Sequence, residues 1–145
     1  MEVRQAGISD IPSILSYMED YHRDSNLADV TFCKTSSAKI VDHYIRHRDC
    51  CAYIAIEGSE VSGLLFGSLE PYFFNAKKYY ATDLMFFAKG HGATLWKKFK
   101  TWAFASRADR IIMGVSSGNE HADHLLEVLG MTKTGGMYVI RKESS

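Results

Sequence analysis

The stretch Asp83–Trp96 constrains the fold most, because three local signals follow one another directly in it. Asp83-Leu-Met-Phe-Phe is an apolar, strand-like run, Gly90 and Gly92 then bracket His91, and a helical pattern follows. Glycine permits positive φ and lets a ligand approach the backbone closely. A helix that begins there directs unpaired N–H groups and the positive end of its dipole at whatever lies in front. The stretch therefore predicts a phosphate-binding turn, which the rest of the chain has to support.

Apolar periodicity along the chain predicts the element order βααββ followed by βαβαββ. The predicted strands cover residues 3–6, 51–57, 60–69, 79–87, 110–115, 131–133 and 137–141, and the helices about 11–21, 36–45, 91–106 and 119–129. Gly58-Ser59 predicts a hairpin, whereas Pro71–Lys78 predicts a break before the next strand. The strand–helix–strand crossover in the second half implies a parallel pair. The fold class is therefore α/β or α+β with a mixed sheet, and 145 residues predict one domain, 1–145.

Composition excludes several classes of protein. Seventeen basic side chains balance seventeen acidic ones, so the chain lacks the excess charge of a nucleic-acid binder. No apolar run approaches the roughly 18–20 residues of a membrane span, and the N-terminus lacks a secretory signal. Three cysteines predict reduced thiols in the cytoplasm. The six histidines form no zinc-binding motif, so we expect no metal.

Two stretches resemble the GNAT superfamily, the acetyl-CoA-dependent N-acetyltransferases. Lys89-Gly-His-Gly-Ala-Thr-Leu, placed after an apolar strand, is similar to the family's Arg/Gln-x-x-Gly-x-Gly/Ala pyrophosphate loop. Val115-Ser-Ser-Gly-Asn-Glu-His-Ala-Asp-His-Leu-Leu-Glu-Val-Leu-Gly-Met is similar to the family's fifth strand and fourth helix. The chain resembles the small acetyltransferases of bacteria and their phages more than the histone-modifying branch. The resemblance implies a central, mixed, mostly antiparallel twisted sheet flanked by about four helices.

The resemblance also implies which residues contact acetyl-CoA. Strict alignment on the two glycines puts Phe87 at the family's Arg or Gln position. If the loop is shortened, Lys89 takes that position instead. We prefer Lys89, because a cation suits the diphosphate. His91 is expected to offer its backbone N–H and to leave its imidazole in solvent. Asn119 either caps the fourth helix or touches the pantetheine. The cofactor-binding prediction comprises Met85, Phe86, Phe87, Lys89, Gly90, His91, Gly92, Ala93, Thr94 and Asn119.

The implied reaction is attack of a primary amine on the thioester in a ternary complex. An alkylammonium with a pKa of about 10.4 must first lose a proton, which the Asp83 carboxylate can accept, although a solvated or lysine-paired Asp83 is the alternative. Backbone N–H groups around Met85 and Phe86 can stabilise the developing oxyanion. The family's usual tyrosine acid falls on Leu126, so Tyr138 or Tyr80 is the candidate acid for the thiolate, and ordinary strand packing is the alternative for both.

The same residues leave an alternative function, the acceptor and the oligomeric state open. The missing tyrosine supports a non-catalytic acyl-CoA-binding or protein-interaction module on the same scaffold. The acceptor, a small molecule or a protein amine, is expected to be selected by the segments 22–35 and 70–79. The resemblance also allows a homodimer, because family members often dimerise.

Overall fold

Strands and helices alternate along the computed structural model, which describes residues 2–114 and 120–142. The chain divides into two compact units, Met1–Met113 and Gly114–Ser145. The first unit contains β1 (Glu2–Gln5), a 3-10 turn (Ile8–Asp10), α1 (Ile11–Arg23), α2 (Lys34–Arg46), β2 (Cys50–Glu57), β3 (Glu60–Tyr72), β4 (Asn75–Ala88), α3 (Gly92–Ala105) and β5 (Ala108–Ile112). The second unit contains α4 (Glu120–Val128). None of the described helices has the length and apolar character needed to cross a membrane.

The strands of the first unit form one mixed sheet in the order β1-β2-β3-β4-β5. The β1–β2, β2–β3 and β3–β4 pairs are antiparallel. The β4–β5 pair is parallel, because α3 carries the chain back across the sheet between the two strands. These pairs confirm the predicted mixed, mostly antiparallel sheet, and β1 lies at an edge.

The two hairpins test the turn predictions with opposite results. Gly58, at φ 62°, turns the chain between β2 and β3, as the Gly-Ser pair predicts. The break predicted over residues 71–78 is wrong, because β3 runs to Tyr72 and β4 starts at Asn75. Pro71 fits within β3 because the pairing with β2 stops at Ser68, which lies opposite Cys50. Beyond that point no N–H donor is needed on the β2 side of β3.

Helices cover both faces of the sheet. On one face, α1 and α2 bury Ile14, Leu15 and Val41 against β2 and β3, with Leu64 and Phe66 fully buried beneath them. Side chains alternate between the faces of a strand, so the intervening glycines of β3 lie on the other face. There, a Cβ added at Gly63 would meet Leu95 at 3.1 Å, and one added at Gly67 would meet Phe99 at 2.4 Å. The two glycines thus let α3 lie close to the sheet.

The connection from β1 to α1 is held by one carboxylate. Arg4 donates to both oxygens of Asp10 at 2.8 and 3.0 Å, and the Gly7 N–H donates to the same side chain at 2.7 Å. The Arg4 hydrogen bonds, helped by Gly7, hold the pKa of Asp10 below its ordinary value. Asp10 is the N-cap residue of α1, but its side chain bonds to Arg4 of β1 and does not cap the helix.

In the second unit, α4 ends at Val128, one residue before the predicted end, and the turn after it contains Gly130. Gly130 has a φ of 94°, and Met131 N–H donates to the Leu126 carbonyl at 3.0 Å across the helix end. The two closing strands predicted at 131–133 and 137–141 are wrong, because the described residues 131–142 contain no strand. Alternating apolar side chains favour an extended chain, but a strand also needs a neighbour with which to exchange hydrogen bonds, and nearly all of these side chains are exposed.

Candidate active site

A β-bulge interrupts the second half of β4. The β3–β4 register steps from Phe66 opposite Met85 to Gly67 opposite Asp83, so Leu84 is the extra residue. On the other side of β4, pairing with β5 ends at Thr82 opposite Ile112. Among the described residues no strand pairs with that edge beyond Thr82. The bulge and the end of pairing coincide, and they leave an open strand edge that leads to the turn before α3.

That turn combines a glycine of positive φ with the start of a helix. Gly90 has a φ of 102°, a left-handed value that L side chains rarely adopt. His91 is the N-cap residue of α3, and the first intrahelical bond runs from the Leu95 N–H to the His91 carbonyl at 3.1 Å. The N–H groups of Gly92, Ala93 and Thr94 therefore precede the first intrahelical donor, the Leu95 N–H, and they face outward with the positive end of the helix dipole.

The two residues that could align with the family's Arg or Gln position, Phe87 and Lys89, differ in their surroundings. The Phe87 ring stacks on Tyr21 of α1 with a centroid distance of 3.9 Å and an interplanar angle of 14°. Its ring is therefore held in the packing between β4 and α1. Lys89 is exposed beside the turn, and its N–H donates to the Ser62 carbonyl at 3.2 Å. Its backbone is anchored while its ammonium group is left at the surface.

The expectation of a solvated His91 imidazole is wrong. The side chain is only 19% exposed, and its Nε2 lies 3.4 Å from Oε1 of Glu57 at the end of β2. The ring thus contacts the end of β2. Because His91 is also the N-cap residue of α3, this contact restricts the conformation of the turn. The His91 backbone remains part of the helix N-terminus.

The predicted reactive residues occupy different parts of the chain. Asp83 is partly buried and lies between the last β4–β5 pair and the bulge. Met85 and Phe86 follow the bulge, and successive N–H groups of a strand point to opposite edges, so one of the two faces the open edge. Tyr138 lies in the second unit, 98% exposed, in a segment that forms no strand. Asn119 lies outside the described residues.

Two tyrosines of α1, Tyr17 and Tyr21, lie near these residues and were not predicted from the sequence. Tyr17, like Met85 and Phe87, packs against the buried core cluster around Ile14 and Phe66, and its buried hydroxyl has no hydrogen-bond partner among the described residues. Burial, with a smaller effect of Tyr21, raises the Tyr17 pKa to about 12. Tyr21 stacks on Phe87. The i, i+4 spacing of the pair was the signal, since it puts both rings on one helix face.

The segment after α1 is folded around one histidine. Nε2 of His22 lies 2.6 Å from the Val30 carbonyl oxygen and 3.0 Å from that of Leu27. Both oxygens are acceptors, so Nε2 carries the proton. The segment predicted to select the acceptor is therefore tied back to the end of α1, next to Tyr21.

Comparison with known proteins identifies the fold. No family sequence model matches the chain, and no curated protein matches it in sequence. Among solved structures, it resembles a transcriptional regulator from Bacillus halodurans C-125 with a TM-score of 0.78 and 16% identity, over 97% of this chain and 99% of that one. The aminoglycoside antibiotic 6′-N-acetyltransferase AAC(6′)-Ig from Acinetobacter haemolyticus matches with a TM-score of 0.75 and 11% identity over 100% of both chains.

A third match carries the cofactor. The aminoglycoside N-acetyltransferase AAC(6′)-Iy, in complex with CoA, has a TM-score of 0.73 and 12% identity over 99% of this chain and 100% of that one. At such identities the matches show the fold, which is the GNAT fold. The resemblance inferred from the glycine turn and the element order is thereby confirmed at the level of fold.

Proposed function

We propose that this protein transfers the acetyl group of acetyl-CoA to a primary amine. The observation that carries the proposal is the coincidence of the Leu84 bulge, the open β4 edge and the N-terminus of α3 within one fold that known acetyltransferases share. The N–H groups of residues 92–94 would bind the diphosphate with Lys89 alongside. The amides of the pantetheine arm would hydrogen-bond to the open edge of β4, as an added strand does.

The chemistry would take place beside the bulge. Asp83 would accept a proton from the bound ammonium, the freed nitrogen would attack the thioester carbon, and the C–S bond would then break. A backbone N–H of Met85 or Phe86 would donate to the carbonyl oxygen as it gains charge. The departing thiolate has a pKa near that of cysteine, about 8.5, so it needs less help from an acid than an alkoxide would. This accounts for Leu126 at the family's tyrosine position, with Tyr138 as the candidate donor.

Charge near the end of α1 favours a cationic acceptor. Four carboxylates occur between residues 19 and 31 against a single arginine, namely Glu19, Asp20, Asp24 and Asp29 against Arg23. Arg23 pairs with Asp20 at 2.9 Å and with Glu19 at 4.0 Å. The segment therefore keeps a negative excess next to the Tyr21–Phe87 stack, which attracts polyamines or aminoglycosides electrostatically. Two of the matched structures are named as aminoglycoside acetyltransferases.

The test is direct measurement of CoA release and product mass. The protein is incubated with acetyl-CoA and a panel of polyamines, aminoglycosides, lysine peptides and peptides with a free N-terminus. We expect release of free CoA with at least one cationic small amine. Folded protein that releases no CoA with any member would refute the proposal. CoA binding by calorimetry without turnover would support the non-catalytic binding module instead.

Replacing Asp83 tests whether its carboxylate acts as the base, and a control substitution measures the effect of losing any one carboxylate. Asp83→Asn should lower kcat by about 10²- to 10⁴-fold while leaving CoA affinity nearly unchanged. The matched control is Asp42→Asn, which removes an exposed carboxylate of α2 that pairs with Arg46 at 2.8 Å. Equal kcat values for the two variants would remove Asp83 from the mechanism.

A further inference from the structure

Three metal-ligating side chains meet where α2 leads into β2. His43 and His47 are one helical turn apart at the end of α2, and Cys50 is the first residue of β2. One ligand atom from each of the three lies within 4.8 Å of the others. The imidazole centroids are 4.9 Å apart.

The backbone of this junction is fixed by hydrogen bonds. His47 N–H donates to the His43 carbonyl at 2.9 Å, and Cys50 N–H donates to the His47 carbonyl at 3.1 Å. Leu69 N–H, from β3, donates to the Asp49 carbonyl at 2.8 Å. The three Cα positions are therefore held in place, and only side-chain torsions remain free. A site built in this way needs little further ordering when an ion binds.

The donor atoms suit a late first-row transition metal. Imidazole nitrogen and thiolate sulfur are the usual ligands of Zn²⁺, at about 2.0–2.1 and 2.3 Å. Tetrahedral geometry at those lengths separates neighbouring ligand atoms by about 3.3–3.6 Å, so closure from 4.8 Å requires shifts on the order of 1 Å. Both histidines are exposed and Cys50 is partly so, which gives the ion a path from solvent and the side chains room to rotate.

Nearby groups both favour and oppose binding. The carboxylates of Asp49 and Glu70 lie close enough to Cys50 to act on it electrostatically, and their charge attracts a dication. Asp49 is partly neutralised by Arg107 at 3.0 Å, which leaves Glu70 as the main contributor. The N–H of Asp49 donates to Nδ1 of His47 at 3.1 Å. Either mode of coordination replaces this hydrogen bond, because an ion at Nδ1 takes the accepting lone pair and an ion at Nε2 requires the proton to move to Nδ1.

We propose that His43, His47 and Cys50 bind one Zn²⁺ or a similar divalent ion, with solvent in the fourth position. The ion ties the end of α2 to the first residue of β2. Cys50 lies opposite Ser68, and Ser68 lies opposite Thr82, the residue before Asp83. With strands about 4.8 Å apart, the site lies about 10 Å from the candidate base and is separate from it.

Cobalt titration of reduced, untagged full-length protein tests the site. We expect one Co²⁺ per chain, with a thiolate-to-cobalt charge-transfer band and the strong visible absorption of tetrahedral cobalt, both displaced by Zn²⁺. Cys50→Ser should lose the charge-transfer band. His43→Ala and His47→Ala should each weaken binding by about a hundredfold or more, because even partners outside the ligand set change affinity by about 10–100-fold.

The controls distinguish this site from accidental binding. Cys33→Ser removes an exposed thiol outside the cluster and should leave the titration unchanged. Zn²⁺ should raise the Tm of the unaltered chain and of Cys33→Ser but not of Cys50→Ser, since an ion that binds only the folded state stabilises it. No charge-transfer band in folded protein, a band that survives Cys50→Ser, or one that disappears with Cys33→Ser would each overturn the proposal. None of these readouts depends on acetyl transfer.

Discussion

Replacing Gly67 with alanine should push α3 away from the sheet. The added Cβ would lie 2.4 Å from Cε1 and 3.0 Å from Cζ of Phe99, and 2.9 Å from the Thr82 carbonyl oxygen. Phe99 is fully buried, so its ring has no open space to move into. Because Gly67 is paired with Asp83, the resulting shift would arise directly beneath the candidate site.

The expected loss of stability follows from two opposing contributions. Inserting a methylene into a packed core costs about 1–3 kcal/mol. Alanine is better than glycine within a strand by about 0.5–1 kcal/mol. The net loss in the free energy of unfolding is therefore about 1 kcal/mol, within a range of roughly 0–2.5 kcal/mol. At Gly63 an added Cβ would lie 3.1 Å from Cδ1 of Leu95 and 3.2 and 3.3 Å from backbone atoms of Phe87 and Ala88. These contacts are tight but far less severe than the one at Gly67, so Gly63→Ala should cost less than Gly67→Ala and serves as the matched control.

Urea unfolding followed by tryptophan fluorescence measures these losses. Both tryptophans of the chain, Trp96 and Trp102, lie in α3, so the signal reports on the helix that should move. A double-mutant cycle adds Phe99→Leu, which by itself costs about 1 kcal/mol by leaving space unfilled. In the Gly67→Ala background the same change removes the clashing ring atoms. The combined loss should therefore fall short of the sum by about 1 kcal/mol.

Two results would refute this reasoning. Strictly additive losses would mean that the Gly67 and Phe99 positions do not compete for space. A Gly67→Ala loss no larger than that of Gly63→Ala would mean that α3 does not need the glycine. If the helix does shift, the KM for acetyl-CoA should also rise, since the N-terminus of α3 carries the proposed diphosphate site.

Three further predictions address the turn, the β1–α1 connection and the thiols. Gly90→Ala should lower stability by about 1–2 kcal/mol through its φ of 102° and weaken CoA binding in calorimetry; unchanged values would contradict a strained turn. Asp10→Asn should cost about 1 kcal/mol in urea unfolding at pH 7. Because the pKa of Asp10 is lowered in the folded state, its contribution to stability is present above about pH 4 and is lost as the pH falls through the folded-state pKa. The free energies of unfolding of the wild type and the variant should therefore converge in acid. A difference that stays constant with pH would mean that the ionised carboxylate does not stabilise the fold. Cys33 is exposed, and its pKa is lowered chiefly by the hydrogen bond with Ser36, whereas Cys51 is only 3% exposed. In pulsed iodoacetamide labelling read by mass spectrometry, Cys33 should therefore react much faster than Cys51. Similar labelling rates would mean that β2 is not buried.

The sequence was sufficient where a local signal decides the structure. The Gly58 turn, the Gly130 helix end and the Gly90 turn each need a positive φ, which glycine adopts at little cost. The buried face of α3 follows from apolar residues at helical spacing. The parallel pair follows because a helix between two neighbouring strands must carry the chain back across the sheet.

Only the tertiary structure decided features that depend on partners far apart in sequence. The bulge at Leu84 exists only relative to the register of β3, and Pro71 fits a strand only because β2 ends before it. The closing strands were expected from apolar alternation, which cannot supply the neighbour that a strand requires. The close approach of α3 to Gly67 likewise requires knowledge of which helix covers the glycine.

The metal-ligating cluster depends both on local sequence and on the tertiary structure. The spacing of His43, His47 and Cys50 is visible in the sequence as H-x₃-H-x₂-C, but it becomes a possible site only if a helix ends at the second histidine and a strand starts at the cysteine. Local propensity, which acts through neighbouring residues, determined most helices and strands of the first unit and their order. The convergence of side chains and the open strand edge depend on long-range packing and register, and these emerge only when the whole chain has folded.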